Sequence, residues 1–257
     1  MSPNKPRNAD TVESRQRPEA LDGTTEQGDE MSDEPVRLED AYALETPQDS
    51  RQLYARWATT YESGFVADEQ YVIPQRVAEV FVEAFFALDA LHVGGAILDV
   101  GCGTGLAAFA LADLLDGVVV DGADISPEML GVAAGKLRGD GSPLYRDLIE
   151  VDLTLPAPVL AERRGSYAGL LSSGTFTHGH LGPAVLADIV AFARIGGVLA
   201  LGINAEHFAA HGFRGALGDL VETGAIADLR LPVAEMYLPG SAHFGETAVV
   251  AVFRRAS

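Results

Sequence analysis

One segment constrains the fold more than any other: Leu98-Asp99-Val100-Gly101-Cys102-Gly103-Thr104-Gly105. Residues 96–101 form an apolar run of strand length, and residues 106–115 carry helical periodicity. Glycines at alternate positions therefore link a strand to a helix, where they let the backbone turn tightly and approach a ligand. The same rhythm continues downstream. Strands are expected at 118–124, near 148–152, at 167–173 and at 197–204, with helices at 127–137 and 183–194. Upstream, Pro74 stands at the first turn of an amphipathic helix through Val77, Val80, Phe81, Ala84, Phe85 and Leu88. Short apolar strands alternating with helices pair in parallel and are covered on both faces, an α/β class. The end departs from this: residues 226–238 and 247–255 are extended runs joined by 239–246, which reads as an antiparallel hairpin.

The loop also restricts the ligand. A dinucleotide fingerprint reads G-x-G-x-x-G/A, and its third small position is here Leu106, which obstructs the close helix approach a diphosphate needs. Asp99 sits badly beside a diphosphate and suits a ligand with ammonium or hydroxyl groups. Asp124 ends the second strand 19 residues after Gly105, where a carboxylate accepts both hydroxyls of a ribose. Asp121 competes for that role, but Gly122-Ala123-Asp124-Ile125-Ser126-Pro127-Glu128-Met129-Leu130 sets Asp124 directly before a helix start. Asp152 either receives an adenine amino group, with Ile125 and Leu153 framing the ring, or caps a helix.

Charge narrows the partners. The formal net charge of the 257 residues is −19, of which residues 1–40 contribute −6, so the remainder is acidic in its own right. Such a surface repels phosphate backbones, and no nucleic acid is expected as partner. Residues 1–40 read as a disordered acidic tail, since scattered single apolar residues cannot offset the entropy of ordering. Residues 41–257 read as one domain, divided into an aromatic helical lid region at 41–93 and a core at 94–257. Cys102 is the only cysteine, which excludes an internal disulfide and a multi-cysteine zinc site. No apolar run reaches spanning length and no basic-then-apolar leader opens the chain, so no membrane association and a cytoplasmic location are expected. The oligomeric state is not legible.

The motifs together resemble class I S-adenosylmethionine-dependent methyltransferases. LDVGCGTG matches that family's glycine-rich motif, GADISPEML its acidic motif, and VDLTLP the stretch around its adenine contact. The resemblance covers about residues 50–257 and implies a Rossmann-like, mostly parallel seven-stranded sheet with the C-terminal hairpin. It implies S-adenosyl-L-methionine as cofactor, which the loop favours over NAD. Asp99, Gly101, Gly103 and Gly105 would hold its amino-acid end and Asp124 its ribose. Two further stretches are similar to narrower groups. Leu53-Tyr54-Ala55-Arg56-Trp57-Ala58-Thr59-Thr60-Tyr61-Glu62 is similar to the Y-x-x-W-A-x-x-Y-D opening of many small-molecule methyltransferases. Ser173-Gly174-Thr175-Phe176-Thr177-His178-Gly179-His180 looks like the motif after strand four of the Williams–Beuren syndrome chromosome region 27 protein group, which adds Ser173 to the cofactor side. Glu62 stands where the usual residue is Asp, and Ala168 where an acidic residue is common. An N-P-P-Y or D-P-P-Y amine motif is absent, which disfavours DNA adenine or protein glutamine as acceptor.

The expected function is methyl transfer to a small-molecule acceptor. His178 and His180 follow the fourth strand, where one of them takes the acceptor's proton or merely orders the loop. His207 and His211 share a face if their segment is helical, but no acidic cluster accompanies them and no metal is expected. Tyr54, Trp57 and Tyr61 either cap the sulfonium with their rings or pack a helix on the domain. Two rival functions are a non-catalytic cofactor-binding protein or partner subunit, kept open by Ala168, and an NAD-linked oxidoreductase. The second is disfavoured by Leu106 and by the lack of a Tyr-x-x-x-Lys pair.

Overall fold

Strands β1 (Ile97–Val100), β2 (Val120–Asp124), β3 (Tyr145–Glu150), β4 (Tyr167–Phe176) and β5 (Ala193–Asn204) lie parallel in one sheet. Strands β6 (Ile226–Arg230) and β7 (Val233–Glu235) both pair antiparallel with β8 (Thr247–Arg255), which pairs antiparallel with β5. The order across the sheet is β3-β2-β1-β4-β5-β8-β6. These strands belong to a computed structural model that describes residues 36–44, 46–90, 94–155 and 158–257. Alternate side chains enter opposite cores, as a two-residue period requires. Ile97, Val198, Ala200, Val250 and Val252 pack on one face, and Leu98, Leu199, Leu201, Ala251 and Phe253 on the other.

The sheet has the seven positions expected, filled by eight strands. The run expected over 226–238 is broken at Pro232, which has no N–H for the ladder, so β6 and β7 pair with successive stretches of β8. The third strand begins three residues before the expected position because charged Arg146 and Asp147 disguise it. Arg146 Nε donates to Asp121 at 2.8 Å, and Arg163 bridges Asp121 and Asp147. Paired in this way, charges are tolerated in a strand beside a core. The helix expected over 183–194 is a 3₁₀ turn, Pro183–Val185, followed by the short helix Leu186–Val190, because β5 begins at Ala193 to pair with Tyr167.

Helices α1 (Leu38–Tyr42), α2 (Pro47–Trp57) and α3 (Ile73–Ala87) precede the sheet. The expected tail boundary at 40 therefore falls inside α1, and residues 1–35 of that expectation lie outside the described residues. Helix α2 starts on a capping box, Thr46 Oγ1 accepting from Asp49 N and Asp49 accepting from Thr46 N, with Pro47 in the first turn. Helix α3 buries Val77, Ala78, Phe81 and Ala84 completely, at about 1.5–3 kcal/mol for each large side chain. It comes so near β4 that a Cβ on Gly169 would meet the Phe81 ring at 2.8 Å. Helices α4 (Leu106–Leu114), α5 (Pro127–Ala134), α6 (Pro158–Ala161) and α7 (Leu186–Val190) follow their strands. Helices α8 (Ala205–Ala210) and α9 (Phe213–Glu222) lie between β5 and β6. Among the described residues no helix is long and apolar enough to cross a membrane.

Candidate functional site

The strand order reverses between β1 and β4, and in open α/β sheets the crevice at such a point, beyond the carboxyl ends, receives the ligand. The loop after β1 forms its floor. Gly101, Gly103 and Gly105 all have positive φ (65°, 52° and 94°), a region costly for other residues. A Cβ on Gly101 would also lie 2.0 Å from Thr175 Oγ1 at the end of β4. The amides of Gly101 and Cys102 both donate to Ala123 O, at 2.7 and 3.0 Å, tying the loop to the end of β2.

Two carboxylates complete the floor. Asp124 Oδ2 accepts from Gly103 N at 2.7 Å and Oδ1 from Ser126 N at 2.9 Å. Burial raises its pKa, and these backbone N–H groups oppose the shift. Asp99 is almost wholly buried; burial pushes its pKa up to about 7 against the lowering effect of the Tyr145 hydroxyl, which donates to Oδ2 at 2.8 Å. Asp99 Oδ1 makes no well-formed hydrogen bond among the described residues, although the Ala108 amide helps to lower the carboxyl's pKa, so a buried acceptor remains open to a donor from a ligand.

These groups face an open cleft. It brings together Asp99, Gly101, Gly103, Asp124, Ile125, Asp152, Leu153 and Ser173 with Tyr54 and Tyr61 from the N-terminal segment, and His180. Asp152 Oδ1 accepts from Thr154 N and Oγ1 at 2.8 and 2.6 Å, so this oxygen closes a turn rather than capping a helix. Gly105 does not line the cleft; it gives room to Tyr145, whose ring is 3.0 Å from where a Cβ would be.

The cover is aromatic. Tyr54 stacks on Trp57 with centroids 5.9 Å apart, and Trp57 meets Tyr61 edge-on at 5.1 Å. Trp57 is buried with Leu53 and Met129 and lies away from the cleft. Lys136 at the end of α5 donates to Glu62 at 2.9 Å, giving the longer carboxylate at this position its partner. Arg51 of α2 pairs with Glu150 of β3. Beside the cleft lies a second, narrower cavity that shares Tyr54, Tyr61, Tyr71 and Gly174 with it.

The histidines separate. His180 Nδ1 is 2.7 Å from His178 O, and because a carbonyl only accepts, Nδ1 carries the proton. Nε2 then has a free lone pair, is buried and has no partner, and burial lowers the ring's pKa, keeping it neutral at pH 7. His178 lines neither cavity; its ring packs 5.1 Å from Tyr42. His207 lies on α8 with Nε2 3.1 Å from Leu181 O, and its centroid is 4.4 Å from that of His211, just beyond the helix. Sequence reasoning missed Tyr145 as the partner of Asp99, as well as Ser50 and Tyr71 in the cleft wall. Tyr71 belongs to a visible run of aromatics, whereas the Tyr145 contact spans 46 positions and leaves no local trace.

Three aspartates and no lysine or arginine line the cleft among the described residues. This set of acidic acceptors fits an ammonium, a ribose and a sulfonium, and suits a diphosphate poorly. Residues 97–197 match the family model described as a methyltransferase domain. Over 102 residues the chain is 31% identical to the release factor glutamine methyltransferase of Koribacter versatilis (strain Ellin345), covering 40% of this chain. The chain spans about 36% of that relative's length. The fold resembles magnesium protoporphyrin IX methyltransferase from Synechocystis PCC 6803 with bound S-adenosylmethionine: TM-score 0.55, 20% identity, covering 82% of this chain and 98% of that one. It also resembles an S-adenosylmethionine-dependent methyltransferase from Clostridium acetobutylicum ATCC 824: TM-score 0.54, 14% identity, covering 79% and 99%. Loop, strand order and family match agree: residues 97–197 match a methyltransferase domain, and the sheet around them has the fold of these two methyltransferases.

Proposed function

We propose that the protein transfers the methyl group of S-adenosylmethionine to a small molecule held beneath helix α2. The observation that carries this reading is a second, narrow cavity lined by α1, α2 and the turn at Glu62–Val66, which shares walls with the cleft. An acceptor reached through so narrow a space is small, and its alignment with the methyl group is what the chain supplies.

In this reading Asp99 Oδ1 receives the cofactor's ammonium, the glycine loop lies along its amino-acid end, and Asp124 takes the ribose hydroxyls. Asp152, Ile125 and Leu153 frame the adenine. Tyr54 and Tyr61 offer ring faces near the sulfonium, while Trp57 braces them from behind. Bound cofactor supplies an already activated methyl group; the chain contributes position, dryness and a proton acceptor. The two lid and loop stretches support kinship with the Williams–Beuren syndrome chromosome region 27 group. Similarity to a glutamine methyltransferase does not carry its acceptor here, because Ser173-Gly174-Thr175-Phe176 stands where the amine motif would be.

The non-catalytic reading loses its main support. Ala168 is the second residue of β4, buried toward α3, and the cleft lies toward the other end of that strand, beginning at Ser173 roughly 17 Å away at about 3.3 Å per residue. An NAD-linked reading is disfavoured by the acidic cleft. Titration calorimetry tests the proposal. S-adenosylhomocysteine is expected to bind and NAD not to, and Asp124→Ala is expected to weaken binding by about 1.5–3 kcal/mol. An unchanged affinity in the folded variant would remove Asp124 from the ribose role.

A further inference from the structure

We infer that the inner cavity takes a neutral aromatic hydroxyl compound, a phenol, and that His180 Nε2 removes its proton as the methyl group is transferred to oxygen. This rests on the methyl-transfer reading above and gives that site its substrate class.

The first observation is the lining. Rings dominate the walls, among them Tyr42, Trp57, Phe65, Phe176 and Tyr237, with Asn204 and Thr177 as polar members, and among the described residues no Asp, Glu, Lys, Arg or His is part of them. The tyrosines there are neutral. Burial raises the pKa values of Tyr54, Tyr61, Tyr71 and Tyr237, and that of Tyr42 to about 12. A charged acceptor entering this space would be desolvated without a counter-ion, whereas a flat apolar ring stacks on its walls.

The second observation is a pair of buried polar atoms without partners. Thr177 Oγ1 belongs to a residue of the inner cavity, and His180 Nε2 to one of the cleft wall. The His180 ring lies 5.5 Å from that of Tyr54, which lines both spaces. Because His178 O fixes the proton on Nδ1, Nε2 can only accept, so the complementary group on the acceptor is a donor. A ring hydroxyl placed where the cleft meets the inner cavity would meet both demands, donating to Nε2 and accepting from Thr177.

The transfer balances. The hydroxyl proton passes to His180 Nε2 as the oxygen forms its bond to the methyl carbon. The carbon–sulfur bond breaks with its pair left on sulfur, which becomes a neutral thioether, and the imidazolium later releases its proton to water. The groups facing His180 are Tyr54 on α2, His178 beside it and His207 on α8; the two histidines lower its pKa further.

The test uses the full chain loaded with S-adenosylhomocysteine and titrated with 2-naphthol, 2-naphthoate and naphthalen-2-ylmethylammonium. The neutral compound is expected to bind at least about tenfold more tightly than either ion. With S-adenosylmethionine, mass spectrometry is expected to find an O-methyl product from at least one of phenol, 2-naphthol and 2-hydroxyanthracene. His180→Gln is expected to lower kcat for that product by about 100-fold or more while the dissociation constants of S-adenosylhomocysteine and 2-naphthol stay within about twofold. Equal or tighter binding of an ion, no binding of 2-naphthol, no O-methyl product from any of the three, or an unaffected kcat in His180→Gln overturns the inference. Failure of S-adenosylhomocysteine itself to bind would instead overturn the methyl-transfer reading.

Discussion

The floor and the cover of the cleft are built by different means. The floor is a loop of five residues, Gly101–Gly105, clamped between strand ends by backbone hydrogen bonds to Ala123 and by Thr175 pressing on Gly101. The cover, residues 38–66, has no strand to hold it. It rests on Leu53 and Trp57 against Met129, and on ion pairs Lys136–Glu62 and Arg51–Glu150. The floor is thus fixed by geometry that tolerates almost no change, and the cover by side-chain contacts that can be made and broken. A binding site needs both, one to set the ligand's position and one to admit and enclose it.

The largest expected effect is on the floor. Gly101→Ala places a methyl group against Thr175 at positive φ, and is expected to cost about 2–5 kcal/mol of stability, with cofactor affinity lost alongside. Urea unfolding measures it. A loss under about 0.5 kcal/mol would mean that the floor yields as readily as the cover, and the contrast would fail.

The next effect concerns Asp99. Its folded pKa of about 7 exceeds the ordinary 3.8, so its contribution to stability is fully present below pH 3.8 and is lost as pH rises through about 7. Relative to Asp99→Asn, the ligand-free protein is expected to lose melting temperature between pH 4 and 7. Affinity for S-adenosylhomocysteine is expected to move the other way, rising about tenfold per pH unit up to pH 7, where the carboxylate that meets the ammonium becomes ionised. It should fall again above about pH 8 as the ligand's amine loses its proton. A flat affinity profile from pH 5 to 7 would remove Asp99 from the ammonium site.

The smallest effect belongs to the cover. Thr46→Ala removes the cap of α2 and is expected to cost about 1 kcal/mol locally. It should raise amide exchange in α2 and weaken cofactor binding severalfold while leaving β1 and β2 unchanged. Exchange raised equally in the strands would show that cover and floor open together.

This contrast also explains what was legible in the sequence. The floor is local: a strand, glycines at alternate positions and a helix lie within 18 residues, and Asp124 is the last residue of its strand. The pairing of β3 was hidden because Arg146 and Asp147 look like surface residues until Asp121 and Arg163 arrive from elsewhere in the chain. The break between β6 and β7 was visible as Pro232, but nothing nearby showed that one strand, β8, would serve both pieces. The cover's aromatics were visible as a cluster. Their division into Tyr54 and Tyr61 on the cleft and Trp57 behind them follows from packing on α5, which no local pattern reveals. His178 and His180 are likewise equivalent in sequence; the fold separates them by placing His180 on the cleft and His178 against Tyr42, and the carbonyl of His178 fixes the tautomer of His180.

Amide exchange with and without S-adenosylhomocysteine tests the central claim most directly, that the cofactor lies on a rigid floor beneath a cover that closes on it. Fast exchange is expected in residues 47–61 of the free protein, strongly slowed by ligand. The loop at 101–105 and the β2 end at Asp124 should gain moderate protection, and Val120 in the sheet interior almost none. The buried Trp57 is expected to report the same closure by fluorescence. Equal protection of residues 47–61 in both states would contradict a closing cover, and no change in 101–105 or at Asp124 would contradict the floor as the cofactor's site.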